Sequence, residues 1–187
     1  MSCSAVNKQQ VLHIEKFKCP VCQKKLNLFK KLNNFCLYKC HYCSHLISNI
    51  NINKNYYKNT YNSNYIENKH RNWMNNPNQE LFQSIFNFIK YRIKKKGKII
   101  ELGSGKGSLL TFLSKYMPNI NFTGVDLYKN FSTSSNLKFY DKDFLTFHSK
   151  IKYQFIISIA VIEHMGNLEK FFNKLNSLIK KMDMSSY

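Results

Sequence analysis

The chain has 187 residues, enough for one medium domain and a small module. A hydrophobic content of 43% allows a buried core, yet no apolar run approaches the ~20 residues of a membrane span. The formal charge of +19 is uneven: residues 1–98 hold 18 Lys and Arg against Glu15, Glu67 and Glu80, a balance of +15, and the remainder carries +4.

That excess has two readings, a polyanion partner or the base composition of the gene, since Lys, Asn, Ile, Tyr and Phe share A/T-rich codons. The second is preferred here. Residues Met1 to Gln10 lack an apolar h-region, so no secretory signal is expected. A cytoplasmic protein follows as the expectation, with its cysteines reduced or metal-bound.

Residues 1–18 read as a lead-in, and residues 19–50 form a cysteine module. Cys19-Pro-Val-Cys22 and Cys40-His-Tyr-Cys43 are two knuckles separated by seventeen residues. Four thiolates so spaced make a tetrahedral zinc site, with the intervening segment returning as a hairpin. Four cysteines leave no open position, so the metal is structural. Few large apolar residues lie between them, and the metal supplies most of the folding free energy. Cys36, His41 and His45 are surplus to the site, and Cys3 is an ordinary thiol. Residues 51–76, rich in Asn, Tyr and Lys, read as a linker. Residues 77–187 are the second domain.

Asn76 is a candidate N-cap, with Pro77 at the first helical position and Gln79 completing a capping box. Leu81, Phe82, Ile85, Phe86, Ile89 and Ile93 follow at helical intervals, in a helix ending at Gly97 and closed by Lys94 to Lys96. A strand from Lys98 meets Glu101-Leu-Gly-Ser-Gly-Lys-Gly107. A helix from Ser108 to Met117 stops before Pro118. A second strand, from Phe122, ends at Asp126. Leu137 to Tyr140 is a third strand, Phe155 starts a fourth, and a last amphipathic helix starts near Asn167. Alternating strands and helices imply an α/β fold with a parallel sheet and ligands at the strand C-termini, where Glu101, Asp126, Asp143 and Ser158 lie.

The glycine spacing selects the nucleotide. A dinucleotide loop needs Gly-x-Gly-x-x-Gly, and Ser108 stands where its third glycine belongs. A phosphate loop needs Ser or Thr after its lysine, and Lys106 is followed by Gly107. Glu101 repels phosphate but can hold an ammonium, while Asp126 can accept from two ribose hydroxyls. A nucleoside with a cationic amino-acid tail fits, and S-adenosylmethionine is such a molecule.

At Glu101 to Gly107, at Gly124-Val-Asp126, at Leu137 to Tyr140 with Asp143-Phe144, and at Phe155 to Met165 with its Ile-Glu163-His164, the chain resembles the class I S-adenosylmethionine-dependent methyltransferases. The resemblance runs from about Pro77 to Met182. It implies a Rossmann-like parallel sheet, preceded by the small zinc ribbon, and a cofactor held by Glu101, Gly103, Ser104, Gly105, Gly107, Asp126, Leu127, Asp143 and Phe144. In the family the acid matching Asp143 faces the adenine amino group, and its neighbour packs on the ring. His164 is a candidate general base, against a plain capping or packing role. The family's sheet has seven strands, so the chain reads as incomplete at the C-terminus, and the helix between Asp126 and Asp143 is expected to be reduced to a loop.

A zinc ribbon ahead of such a domain is similar to two groups: bacterial methyltransferases of sugar and secondary-metabolite pathways, with a Tyr-rich stretch matched by Tyr56, Tyr57, Tyr61 and Tyr65, and a ribosomal RNA guanine methyltransferase type. The fourth-strand segment lacks the Asn/Asp-Pro-Pro-aromatic motif of many N-methyltransferases. O- or C-methylation of a small or sugar-like acceptor is therefore preferred. The alternatives are RNA methylation, with the ribbon gripping phosphates, and a non-catalytic remnant.

Overall fold

The computed structural model describes residues 18–33, 35–50, 76–127 and 133–180. Two compact units divide the chain, residues 1–62 and 63–187. The expected linker, but for Asn76, lies outside the described residues, as do Cys3 and the tyrosines at 56, 57, 61 and 65.

In the first unit, β1 (Leu26–Lys31), β2 (Cys36–Cys40) and β3 (Leu46–Ser48) make an antiparallel sheet in the order β1-β2-β3. The β1–β2 pair is the hairpin expected between the knuckles; β3 carried no sequence signal. Period-two alternation buries Cys36, Tyr38 and Cys40 of β2 and leaves Leu37 and Lys39 on the other face. Leu26 pairs with Cys40 at one end of the hairpin, and a register shift between Leu28 and Lys30 accommodates Phe29. Asn49, buried, accepts from the Cys36 N–H at 2.7 Å and returns its own N–H to the Cys36 carbonyl at 3.1 Å. That pair ties the end of β3 to the start of β2. Among the described residues the core is Cys19, Leu26, Cys36, Tyr38 and Cys40, a set too small to hold a fold unaided.

In the second unit, α1 (Gln79–Lys90) leads into β4 (Lys98–Leu102), α2 (Ser108–Tyr116), β5 (Asn121–Asp126), β6 (Leu137–Asp141), β7 (Phe155–Ile157), a 3-10 turn (Ile162–His164) and α3 (Leu168–Leu178). The four strands are parallel in the order β6-β5-β4-β7. The chain moves outward from β4 to β6, then returns to the far side of β4. The sheet order reverses there, and a crevice opens beyond the C-terminal end of β4.

Alternation along β4 sends Ile99 into a core with Phe82 and Ile89 of α1 and Leu109, Leu110 and Leu113 of α2. Ile100 and Leu102 enter a second core with Val125, Phe144, Phe171 and Leu178 on the opposite face. Each such side chain contributes roughly 1.5–3 kcal/mol on full burial. Both faces of β4 are covered, as expected of a central parallel strand.

Both boundaries of α1 differ from the sequence expectation. The N-cap of α1 is Asn78, whose Oδ1 accepts from the Leu81 N–H at 3.0 Å, not Asn76. Pro77 thus precedes the cap instead of opening the helix. The helix closes at Lys90, because the chain reverses between Tyr91 and Gly97 to enter β4, so Lys94 to Lys96 lie in the turn. Strand β7 stops at Ile157, next to the expected strand end at Ser158, and the backbone then bends away through Ala160 at φ 53°. The last helix starts where expected, and its N-cap is Asn167, whose side-chain Oδ1 accepts from the Lys170 N–H at 2.8 Å.

Candidate functional site

Gly103, Gly105 and Gly107 have φ of 76°, 51° and 75°, the left-handed region that L side chains resist. The turn they form is clamped from below. The Gly103 N–H donates to the Val125 carbonyl at 2.8 Å, and the Gly105 N–H donates to Oδ2 of Asp126 at 2.8 Å. Gly107 donates to the Ser104 carbonyl at 2.8 Å and caps α2. The acid at the tip of β5 and the glycine turn after β4 are thus one structure, made adjacent by the β4–β5 register.

Gly103 is required on a second ground. A Cβ there would lie 2.3 Å from Cγ2 of Val161, which the bend after β7 lays over the turn. Gly124, paired with Glu101 across the strands, has the same character: its Cβ would meet the Phe139 ring at 2.3 Å and Ser104 Oγ at 2.8 Å. The missing side chain leaves the room in which the Phe139 ring and Ser104 Oγ sit. A glycine inside a strand marks such close approach, and that signal in Gly124 escaped the motif reading.

Glu101 is only 5% exposed, and its Oε2 has no hydrogen-bond partner; the buried Ser104 Oγ has none either. Burial, then the charge of Asp126, pushes the Glu101 carboxyl up to about 8. Buried polar atoms without partners call for an explanation. Both face a cleft of about 90 Å³ lined by Asn78, Leu81 and Phe82 of α1, Glu101 to Gly105 except Leu102, Lys106, Ser108, Leu109 and Ile159. A polar ligand with a cationic end would satisfy the carboxyl, and the backbone of the turn would meet its body. Nothing in the motifs foretold the contribution of α1 and Ile159, which arrive by folding.

The other expected residues stand at the same end of the sheet in different states. Leu127, just past β5, is 63% exposed. Asp143 Oδ1 accepts from the Leu145 N–H at 2.9 Å, in a turn that fixes its carboxylate. The Phe144 ring is buried in the second core, edge-on to Phe171 at 5.9 Å, so packing already engages it. His164 is half-buried in the 3-10 turn, its N–H bonded to the Val161 carbonyl at 2.9 Å. Ser158 Oγ reaches the Leu102 carbonyl at 3.4 Å.

In the ribbon, the Sγ atoms of Cys19, Cys22, Cys40 and Cys43 all lie within 4.8 Å of one another. Cys19–Cys43 and Cys22–Cys40 are separated by 3.5 and 3.4 Å. Sulfurs around a tetrahedral ion with ~2.3 Å bonds sit about 3.8 Å apart, so the set fits zinc with small adjustment. The knuckles are built alike. Gln23 and Ser44 both have φ near 60° and donate to the carbonyls of Cys19 and Cys40, at 2.8 and 2.9 Å. The thiols do not titrate alike: burial raises Cys22 to about 12, and the Cys43 N–H lowers Cys40 to about 7.

A parallel sheet in this order, with an acid-headed glycine turn and a carboxylate at the next strand tip, is the Rossmann-like fold of class I S-adenosylmethionine-dependent methyltransferases. A family model described as "Methyltransferase domain" matches residues 67–183, and the chain belongs to that family. The chain is similar to the plantazolicin methyltransferase BpumL in complex with a pentazolic desmethylPZN analog and SAH, at 18% identity and a TM-score of 0.55, over 66% of this chain and 52% of that one. It is also similar to a SAM-dependent methyltransferase from Thiobacillus denitrificans in complex with S-adenosyl-L-homocysteine, at 17% identity and TM-score 0.47, over 55% of this chain and 45% of that one. Coclaurine N-methyltransferase bound to N-methylheliamine and SAH gives 22% identity and TM-score 0.44, over 54% and 33%. This chain therefore spans between a third and about half of those chains. No curated protein matches it.

Proposed function

We propose that the protein transfers a methyl group from S-adenosylmethionine to a small or sugar-like acceptor, at oxygen or carbon. One observation carries the cofactor assignment: a buried carboxyl oxygen and hydroxyl without partners, Glu101 Oε2 and Ser104 Oγ, lie at a left-handed glycine turn that Asp126 clamps. When bound, the sulfonium supplies an activated methyl group, and in-line positioning then provides most of the rate.

The chain's own residues do the positioning. Glu101 takes the ammonium of the amino-acid tail, Gly103, Ser104, Gly105 and Gly107 present backbone to the ligand, and Asp126 accepts from the ribose. Leu127 offers an exposed apolar side chain to the base, and Asp143 holds a fixed carboxylate toward its amino group. Phe144, with its ring in the core, is left to contribute through its backbone or ring edge. His164 is the candidate base for an acceptor that must lose a proton. After β7 the chain reads Ser158-Ile-Ala-Val161, without the Pro-Pro-aromatic clamp for amino groups, which supports oxygen or carbon as the methylated atom.

The ribbon's role is structural, with one zinc ion on Cys19, Cys22, Cys40 and Cys43. A second reading, methylation of RNA, has one specific observation behind it: residues 16–66 contain no Asp or Glu. The test of the cofactor site is calorimetry with S-adenosylhomocysteine. Asp126→Ala should weaken binding at least tenfold, on the order of 1.5–3 kcal/mol for a hydrogen bond to a charged group. Equal affinity for both chains would remove the assignment.

A further inference from the structure

The ribbon presents a surface that a structural zinc module does not need. Residues 18–50 carry six lysines and no acid. A/T-rich codons account for added lysine, and the chain is poor in acids throughout, with 10 Asp and Glu in all. The structure adds an arrangement that composition alone does not produce.

Phe29, set out at the register shift of β1, is 57% exposed, with Lys39 Nζ over its ring at 5.7 Å. Tyr42, inside the second knuckle, is 75% exposed, with Lys24 Nζ of the first knuckle over its ring at 5.8 Å. Across the sheet, Asn27, Lys39 and Leu46 form one cross-strand row, and Leu46 is also exposed. Open aromatic rings interleaved with lysines, in a segment free of repelling charge, suit a ligand with unpaired flat bases and a phosphate backbone. Bases stack on the rings, and the lysines displaced from the ring faces meet phosphates. A protein partner would call for an acidic surface but would leave the lysine-capped rings without a specific role.

We infer that the zinc ribbon binds single-stranded nucleic acid through Phe29 and Tyr42, with Lys24 and Lys39 on the backbone. Such binding involves the ribbon alone and is independent of the cofactor site. It is tested on the full zinc-loaded chain by fluorescence anisotropy, without cofactor. The probes are oligo-uridine and oligo-thymidine of roughly 15 nucleotides, a matched duplex, and heparin. Both single strands should bind at about 50 mM salt, and affinity should fall steeply as salt rises. RNA preferred over DNA would identify RNA as the source of the ligand; equal affinity would identify the shared base-and-phosphate chemistry.

The double variant Phe29→Ala/Tyr42→Ala should lose at least tenfold in affinity with an unchanged salt slope, because stacking releases no counterions. Lys24→Gln/Lys39→Gln should instead flatten the slope, by about 0.7 for each phosphate that is no longer neutralised. One zinc per chain, retained in each variant, shows that the ribbon still folds; if the ring variant loses zinc, the lysine variant decides. The inference is overturned by no binding at low salt, the result a protein-docking surface would give. It is equally overturned if heparin or duplex competes as well as the single strand while the ring variant binds like the parent.

Discussion

The Gly105 N–H donates a hydrogen bond to Oδ2 of Asp126 at 2.8 Å, across 21 residues of chain. The carboxylate at the tip of β5 therefore shapes the turn at the tip of β4 before any ligand arrives. Asp126→Ala should lower thermal stability as well as S-adenosylhomocysteine affinity, the former by about 1–3 kcal/mol. Asp126→Asn keeps an acceptor for Gly105 and should recover most of the stability but less of the affinity. Melting curves and titration calorimetry on the two variants separate these roles; parallel losses in both would mean Asp126 is structural only.

Glu101 makes stability depend on pH. Its carboxyl, raised to about 8 by burial and then by Asp126, starts from an ordinary value of 4.5. Between those values the folded chain keeps a proton that the unfolded chain has released, so stability falls as pH rises through the window. In Glu101→Gln that slope should vanish. Melting temperatures of ligand-free parent and variant at about pH 5 and pH 8.5 check it, and identical slopes would show that the carboxyl is already ionised in the folded chain. Over the same window a ligand bearing an ammonium should bind the parent more tightly as pH rises, with proton release visible in the calorimetric heats of different buffers.

Gly103→Ala should be among the most damaging single changes in the second unit. Left-handed φ costs an alanine roughly 1–2 kcal/mol, and the overlap with Val161 adds about 1–3 kcal/mol. Pairing it with Val161→Ala relieves the overlap and leaves the backbone strain, so stability should return only in part. Full rescue, read by chemical denaturation, would show that φ is not the constraint.

Metal removal should unfold the ribbon, because among the described residues its core is five side chains, three of them cysteines. One zinc per chain is expected by metal analysis, with the thiols of Cys19, Cys22, Cys40 and Cys43 reacting freely only after chelation. Cys40→Ser should reproduce the chelated state. A ribbon that keeps its near-ultraviolet signal without metal would refute this assignment.

Two cysteine pairs at the right interval, and an acid-headed glycine run nineteen residues before a strand-end aspartate, are local covalent patterns. Their meaning survives without coordinates, because turn chemistry and ligand valence are properties of residue types. The parallel sheet followed likewise from apolar runs alternating with helical periods. The ends of α1 did not follow, since two asparagines flank Pro77 and either can cap the helix; in the structure the cap is Asn78. The bend after β7 that drops Val161 over Gly103, the clearance that Gly124 leaves for Ser104, and the loss of the Phe144 ring to the core are all contacts between residues distant in sequence. The residues alone led to the expectation of an adenosyl sulfonium ligand. Only tertiary structure decided which polar atoms are buried without partners, because burial depends on everything packed around them.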